Sequence, residues 1–359
     1  LGDVYKRQED KPAIYIYEEE FSVGNTRKSI KGIIARVQLE EFSKGIILPH
    51  EFTLSKAKED RLNLMKATNC NFSQIYALYM DEKHTTLATI DEQSKAKADL
   101  EFTDETGVTH RLWIETDEEI IAKLVADFAD RKLYIADGHH RYETALNYRN
   151  YCRENGISKP GDPQDFQMIY LVDMEHPGLV VFPTHRLVRD LPNFDKEAVL
   201  EKCSEFFYID EKEGTDTMEE DLKKLYDEGK KAFGFYCGKG EWFLLTLKNI
   251  DIMSQMLPNV SKASQSLDVS VLHTLILEKI FGIDKENMAK QINLTYTKFF
   301  TEAIDGVDKG EFQCSFVLNP TRVTEIRDVA AAGEKMPQKS TYFYPKMITG
   351  MVMNNLGVD

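Results

Sequence analysis

The sequence predicts an α+β fold in which mixed sheets pack against helices. Segments with strand and helix patterns follow one another without the strict alternation that a doubly wound parallel sheet requires. A length of 359 residues suits two domains or one large one. Because 42% of the residues are hydrophobic and 29% are charged, collagen-like, low-complexity and wholly disordered proteins are excluded.

In the N-terminal half, the spacing of apolar residues separates strands from helices. Alternating or continuous apolar runs predict strands at 13–17, 30–39, 72–80 and 132–136. Apolar residues at helical spacing predict helices at 54–68 and 117–129, and a charged helix-like stretch with a polar hairpin is expected within 84–116. The strand at 132–136 runs directly into a further helix that ends near residue 154.

The C-terminal half begins after a loop at 156–165 that holds two glycines and two prolines. Strands are expected at 166–173, 178–182, 231–237, 241–248, 291–297 and 312–318. Helices are expected at 195–206, 216–228, 267–281, between the last two strands, and at 321–332, where Gly333 is a suitable stop. The loop marks the expected domain boundary, with an N-terminal part at 9–160 and a C-terminal part at 161–359.

The first eight residues are expected to be an artefact. The chain starts with Leu1 instead of methionine, and residues 2–8 look like the translation of a sequencing adapter. Residues 1–8 therefore carry no fold prediction, and the native N-terminus is expected to be missing.

Net charge and cysteine usage limit the choice of partners and compartment. A total of 45 basic and 60 acidic residues gives a net charge of −15, which disfavours non-specific binding to DNA or to an anionic membrane. No apolar run approaches the roughly 20 residues of a membrane span. The five cysteines lie far apart and include no CxxC pair, so reduced thiols in a cytoplasmic protein are expected. The acidic runs, Glu18–Glu20 among them, are interpreted as solvated surface.

A cluster of polar residues, Asp137-Gly138-His139-His140-Arg141, follows the strand at 132–136 and opens a helix. The first N–H groups of a helix have no intrahelical partner and lie at the positive end of its dipole, so they attract anions. The glycine permits close approach, the arginine can grip a phosphate with two hydrogen bonds, and the histidines can donate or shuttle protons. The alternative is a helix start with Asp137 as a simple cap and the histidines as satisfied polar residues.

Two further clusters carry chemically useful groups. Glu51, beside His50, can serve as a general base or as a metal ligand; the alternative is a plain helix start capped by Thr53. Thr184-His185-Arg186 follows a strand and can reach the same anion as the first cluster; the alternative is a surface loop.

A third cluster, Lys339-Ser340-Thr341, lies in a segment that continues with aromatic residues and Lys346. Lys339 can neutralise a phosphate as a point charge, and the two hydroxyls can donate at the same site. The aromatic residues are interpreted as packing residues. His273, on an apolar helix face, is interpreted as a core histidine.

The residues discussed above lie within longer sequence motifs that are distributed along the chain. They are IADGHHRYETAL, PHEFT with KEDRLNLM at 49–65, FPTHRLV at 182–188, LDVSVLH at 267–273 and MPQKSTYFYPK at 336–346. Together they resemble domain-of-unknown-function family 1015, an uncharacterised prokaryotic family. The resemblance runs from about residue 13 to the end of the chain, and it raises the weight of Glu51 as a site residue.

The segment Gly138-His139-His140-Arg141-Tyr142, with Ala145, also resembles the phosphate-binding box of the ParB/sulfiredoxin superfamily. That superfamily includes a chromosome-partitioning nucleotide switch, sulfiredoxin and an archaeal kinase that acts on free serine. The resemblance implies a ParB/sulfiredoxin-like strand–DGHHR–helix unit that binds nucleotide phosphates, with His140 and Arg141 on the shared His-Arg pair. His139 stands where sulfiredoxin has its catalytic cysteine, so sulfinic-acid repair is not expected.

The favoured hypothesis is an enzyme, a phosphotransferase that uses ATP or ADP, with Mg²⁺, on a small hydroxylated metabolite. Glu51, Asp137 and His139 are the expected catalytic residues, and Asp137 is the expected Mg²⁺ ligand. The expected nucleotide contacts are Gly138, His140, Arg141, His185, Arg186, Lys339, Ser340 and Thr341. The alternative is a ParB-like switch that binds a nucleotide, CTP included, without phosphotransfer; a nuclease is a distant third. DNA and membranes are not expected partners.

Overall fold

A computed structural model describes residues 9–51, 53 and 55–357 of the chain. The adapter-like residues 1–8 lie outside the described residues, as does residue 54, the first of the predicted helix at 54–68. The chain forms two compact units: the first unit runs to Val180 and resumes at Phe343, and the second unit is Val181–Tyr342.

Strands and helices follow one another along the chain in an irregular order. The strands are β1 (Ile14–Val23), β2 (Thr26–Gln38), β3 (Ile47–Leu48), β4 (Cys70–Asn71), β5 (Ile75–Tyr79), β6 (Leu100–Thr103), β7 (Thr109–Glu115), β8 (Leu133–Asp137), β9 (Phe166–Asp173), β10 (Val180–Phe182), β11 (His185–Val188), β12 (Phe207–Glu213), β13 (Ala232–Gly238), β14 (Glu241–Leu247), β15 (Leu294–Thr297), β16 (Cys314–Val317), β17 (Tyr342–Tyr344) and β18 (Asn354–Asn355). The helices are α1 (Ser55–Thr68), α2 (Thr85–Gln93), α3 (Glu118–Asp127), α4 (His139–Glu154), α5 (Lys196–Cys203), α6 (Met218–Asp227), α7 (Ile252–Met256), α8 (Lys262–Gln265), α9 (Asp268–Val271), α10 (Lys285–Lys290), α11 (Phe300–Asp308) and α12 (Val323–Ala331).

The predicted α+β class is confirmed, and the first unit shows why. Its eight-stranded sheet has the order β3-β8-β5-β9-β2-β1-β7-β6 and mixes parallel pairs, β3–β8 and β5–β9, with antiparallel ones. One face of the sheet packs against α1 to α4 through apolar residues such as Met65, Ile90, Leu124 and Tyr142. Helix α3 begins where its acidic first turn predicts, because the Asp117 side chain accepts hydrogen bonds from the N–H groups of two residues in that turn.

Strands β1 and β2 form a hairpin that is longer than the sequence predicts. Their pairing runs from Tyr15 opposite Ile34 to Val23 opposite Thr26. The interpretation of Glu18–Glu20 as solvated surface is wrong for Glu19, which is 1% exposed. Because successive side chains of a strand point to opposite faces, Glu19 lies on the same buried face as Tyr17 and Phe21.

The second unit is built on a six-stranded antiparallel sheet with the order β12-β14-β13-β16-β11-β15. Apolar residues of α5, α7 and α9 pack on one face, and those of α6 and α11 pack on the other. The hairpin predicted around residues 238–240 is confirmed. The helix predicted at 267–281 is α9 followed by a π-helix, Leu272–Glu278, in which His273 is buried as expected.

The division into units differs from the boundary expected at residue 160. Strand β9 follows the loop at 156–165 but pairs with β2 and β5, so it belongs to the first unit. Residues from Phe343 onward also return to that unit, where β18 pairs with β4. Both pairings join segments far apart in sequence, which local patterns do not reveal.

All five cysteines are free thiols. Across the part of the chain that the structure describes, no helix has both the length and the apolar character needed to cross a bilayer.

Candidate functional site

Two parallel strands of the first unit end at the same edge of the sheet, and each leads into a helix. Strand β3 pairs with β8 in parallel; β3 precedes α1, and β8 precedes α4. The N-terminal ends of both helices therefore lie at this edge, and both carry the partial positive charge that attracts anions. Helices α1 and α4 also pack against each other.

Gly138 links β8 to α4 in a conformation that other residues rarely adopt. It is the N-cap of α4, with a φ of +98°. A Cβ atom at this position would lie 2.9 Å from Nη2 of Arg141. The absence of a side chain at Gly138 therefore allows the Arg141 guanidinium to lie close to the backbone at the start of α4.

Asp137 forms ion pairs with two cations. Its Oδ2 accepts from Nη2 of Arg141 at 2.7 Å, and its Oδ1 accepts from Nζ of Lys346 at 2.6 Å. Burial raises the pKa of Asp137, but the charges of Lys346 and Arg141 outweigh that effect, and the net pKa is lowered. Asp137 is therefore an ionised carboxylate between two cations.

Arg141 is also fixed by groups that precede β5. Its Nη1 donates to Oγ of Ser73 at 2.9 Å and to the carbonyl oxygen of Gln74 at 2.7 Å. Burial lowers the pKa of Arg141, Asp137 opposes this, and the nearby positive charge of Arg61 adds to the lowering. Arg61 is an exposed residue of α1, so cationic groups from two helices lie at this edge.

His50, Glu51 and His139 lie together where β3 ends. The backbone N–H of His50 donates to Nε2 of His139 at 3.2 Å, so neutral His139 carries its proton on Nδ1, which is 4.0 Å from Oε2 of Glu51. Nδ1 of His50 donates to the carbonyl oxygen of Ile135 at 2.6 Å. Burial lowers the pKa of His50 to about 4, so this ring is neutral at pH 7.

Glu51 differs from these histidines in its exposure. Its side chain is 34% exposed, whereas that of His139 is 4% exposed. Glu51 is therefore the more accessible of the two side chains. Nearby, Glu143 of α4 accepts from Oγ1 of Thr53 and from Nζ of Lys58, each at 2.7 Å, and these bonds tie the start of α1 to α4. His140 is half-buried in the first turn of α4.

The structure thus brings together Glu51, Asp137, Gly138, His139, His140 and Arg141 in the first unit. The remaining predicted contacts, His185, Arg186, Lys339, Ser340 and Thr341, belong to the second unit.

His185 and Arg186 are consecutive residues of β11, so their side chains point to opposite faces of the second unit's sheet. The Arg186 guanidinium is 0% exposed and donates to Nε2 of His273 at 3.1 Å and to the carbonyl oxygen of Lys339 at 3.2 Å. Nδ1 of His185 accepts from the N–H of Leu318 at 3.4 Å. Burial lowers the pKa of His185 to about 4 and that of Arg186 to about 10.

The segment at 339–341 shows three different environments. Lys339 is exposed and has a φ of +57°. Ser340 is 5% exposed, and its hydroxyl donates to the carbonyl oxygen of Pro337, while its own carbonyl accepts from Oγ1 of Thr321 at 2.8 Å. Thr341 is half-buried. Ser340 therefore uses both polar groups to order its own segment.

Comparisons with known proteins assign the chain to a family. The family described as "Protein of unknown function (DUF1015)" matches residues 5–270. The chain belongs to this family. The resemblance that the motifs predict is thus confirmed, and the match includes the site residues of the first unit from Glu51 to Arg141.

Among solved structures, the chain is similar to a conserved hypothetical protein from Pyrococcus furiosus at 15% identity and a TM-score of 0.42, over 90% of this chain and 95% of that one. A free serine kinase in complex with ADP matches at 12% identity and a TM-score of 0.43, over 86% and 87%. SbnI from Staphylococcus aureus matches at 11% identity and a TM-score of 0.40, over 89% and 85%. No match is found among curated proteins.

For this member of the DUF1015 family, sequence reasoning misses the partners of Asp137 and Arg141. Lys346 stands in the same motif as Lys339, but the hydroxyls beside Lys339 favour that residue as the phosphate contact. Ser73 and Gln74 carry no signal, since nothing in their local pattern indicates that Arg141 reaches them across the sheet edge.

The described side chains around Asp137, the expected Mg²⁺ ligand, do not form a group suited to a divalent ion. Both oxygens of Asp137 accept from cations. Over residues 9–51, 53 and 55–357, no group of three or more His, Cys, Asp or Glu side chains is arranged to hold a metal ion.

Proposed function

We propose that the first unit binds the phosphates of ATP or ADP at the start of α4 and transfers a phosphoryl group to the hydroxyl of a small metabolite. The observation that supports this most strongly is the position of Arg141, whose guanidinium lies against Gly138, the N-cap of α4. Phosphoryl transfer depends mainly on positioned phosphates, neutralised charge and a base for the acceptor.

The phosphates would be held by three kinds of donor from the first unit. The N–H groups at the start of α4 and the half-buried His140 offer hydrogen bonds, and Arg141 offers a charged pair of them. Because Ser73 and Asp137 already fix the guanidinium, little conformational entropy is lost when a phosphate binds. CTP is a further nucleotide that such a site would accept.

Glu51 is the proposed general base. It takes the proton of the acceptor hydroxyl while that oxygen bonds to the terminal phosphorus, and the phosphorus–oxygen bond to the departing nucleotide breaks as Arg141 stabilises the charge that develops. Asp137 suits this role less well, since its two oxygens accept from Arg141 and Lys346. His139, whose Nδ1 lies 4.0 Å from Oε2 of Glu51, would help to orient the carboxylate.

The described residues provide no three-ligand cluster for Mg²⁺, so no step of the proposal uses a metal ion held by the protein. The assay is accordingly run both with Mg²⁺ and with a chelator.

The test is turnover followed by phosphorus NMR, with ATP or ADP and a panel of hydroxylated metabolites. We expect the wild-type protein to consume the donor, and Glu51→Gln to lose about 100-fold or more of the rate while still binding nucleotide. Glu59→Gln is the matched control, because Glu59 is an exposed carboxylate of α1. It should react like the wild type.

Nucleotide binding without turnover of any donor would contradict the enzyme and leave a nucleotide-responsive switch. Equal rates for Glu51→Gln and Glu59→Gln would contradict the assignment of the base.

A further inference from the structure

Lys346 reaches the site from the C-terminal end of the first unit. Its Nζ lies 2.6 Å from Oδ1 of Asp137, a residue 209 positions earlier in the chain. The Lys346 side chain is 44% exposed, whereas that of Arg141 is 25% exposed. The more accessible of the two cations on Asp137 is therefore the lysine.

The backbone on both sides of Lys346 is anchored to the first unit. Phe343, three residues earlier, is 1% exposed and packs edge-on against the rings of His50 and Tyr76, at centroid distances of 6.4 and 5.7 Å. Two residues after Lys346, the carbonyl oxygen of Ile348 accepts from Nε2 of Gln74 at 3.3 Å. The start of the side chain is thus fixed, while its four-carbon stem leaves the ammonium group able to move.

The loop before β5 contacts both Arg141 and the segment that carries Lys346. Gln74 accepts from Arg141 through its carbonyl and donates to Ile348 through its side chain, so one residue sets the spacing of Arg141 and of the segment that carries Lys346. Arg141 is clamped by Ser73, Gln74 and Asp137 and lies next to the helix start. Lys346 pairs with the opposite oxygen of the same carboxylate.

Because Arg141 and Lys346 differ in their contacts and exposure, each suits a different phosphate of the ligand. A fixed, planar guanidinium at the helix start matches the phosphate that the helix binds, whereas the more exposed ammonium of Lys346 matches a phosphate farther out. An ammonium group has three N–H donors, so it can keep its bond to Asp137 while it donates to a phosphate oxygen. Asp137 then positions the lysine and compensates its charge before a ligand arrives.

We infer that Lys346 binds the outermost phosphate of a nucleoside diphosphate or triphosphate, and that Asp137 is a positioning residue for it; this inference rests on the proposed function.

The test compares ADP with AMP, which lacks the outer phosphate, by isothermal titration calorimetry on the full chain. We expect Lys346→Met to weaken ADP binding about tenfold or more and AMP binding less than about threefold, because one charge-assisted hydrogen bond is lost only with ADP. Lys95→Met is the matched control. Lys95 is an exposed lysine of the first unit paired with Glu92, so its loss changes the net charge equally and should leave both affinities unchanged.

Asp137→Asn separates positioning from plain structural support. The measured quantity is the ratio of the AMP to the ADP dissociation constant. We expect the substitution to lower this ratio in the wild-type background and to leave it unchanged when Lys346→Met is already present. An equal decrease in both backgrounds would overturn the positioning role.

If Lys346→Met binds ADP as the wild type does while Arg141→Ala does not, the inference about Lys346 is overturned and the nucleotide site stands. If the wild-type protein binds neither AMP nor ADP, the proposed function fails together with the inference.

Discussion

Some residues of the candidate site can be predicted from the sequence, and others are found only in the structure. Asp137, Gly138 and Arg141 are adjacent or nearly so in sequence, so their grouping at a strand-to-helix junction predicts an anion site without any structure. Lys346 meets them only through the return of the chain to the first unit. Its ion pair gives Asp137 a second cationic partner besides Arg141.

Glu19 provides a prediction about pH at the residue scale. It is 1% exposed, its Oε1 accepts from the Tyr17 hydroxyl at 3.0 Å, and that hydroxyl lies 2.7 Å from Nδ1 of His110. Burial raises the pKa of Glu19 to about 7; the Tyr17 hydrogen bond lowers it, and the charge of Asp104 raises it. As the pH rises, the unfolded chain loses the Glu19 proton near the ordinary pKa of about 4.3, whereas the folded protein keeps it until the pH nears 7.

The contribution of Glu19 to stability is greatest below the unfolded pKa and is lost as the pH rises toward about 7. Glu19→Gln keeps the shape and removes the charge, so at pH 8 we expect it to be more stable than the wild type by up to about 3 kcal/mol. Urea unfolding at pH 5 and pH 8 measures the difference. The prediction fails if the wild type and the variant lose the same free energy of unfolding between these two pH values.

At the scale of elements, local periodicity predicts most helices and strands but not the C-terminal segment. The amphipathic pattern of α3 and the hairpin of β13 and β14 are visible in the sequence, and both are confirmed. Residues 343–357 have no comparable period. Pairing with distant residues fixes them, since β18 pairs with β4 and the Leu356 carbonyl accepts from Nε2 of Gln164 at 2.6 Å.

Leu356→Ala tests whether this segment is part of the core of the first unit. Leu356 is 1% exposed and belongs to the apolar cluster between the sheet and α1 to α4. We expect its truncation to lower the free energy of unfolding by about 2–4 kcal/mol, because it removes buried methyl groups and leaves a cavity. Denaturant unfolding monitored by circular dichroism provides the measurement.

Met353→Ala is the control for this substitution. Met353 lies in the same segment and is 44% exposed, so its truncation should change stability by less than about 0.5 kcal/mol. Similar losses for the two variants, or no loss for Leu356→Ala, would contradict the assignment of the segment to the core.

At the scale of the whole molecule, the sequence predicts the fold class but not the division into units. The α+β class follows from the order of local patterns, whereas the order of strands in a sheet depends on pairings such as β9 with β2 that span more than a hundred residues. The net charge of −15 belongs to the whole chain. It contrasts with the edge of the first unit, where Arg141 and Lys346 both pair with Asp137 just before α4.

We propose that this edge binds nucleotide phosphates. The most direct measurement is the thermal shift of the full chain with ATP, ADP, CTP and GTP, for the wild type, for Arg141→Ala and for Arg27→Ala, an exposed arginine of β2. We expect at least one nucleotide to raise the Tm of the wild type and of Arg27→Ala, because a ligand that binds only the folded state stabilises it. Arg141→Ala, compared with its own unliganded Tm, should show no shift; a shift that survives this substitution would contradict the account.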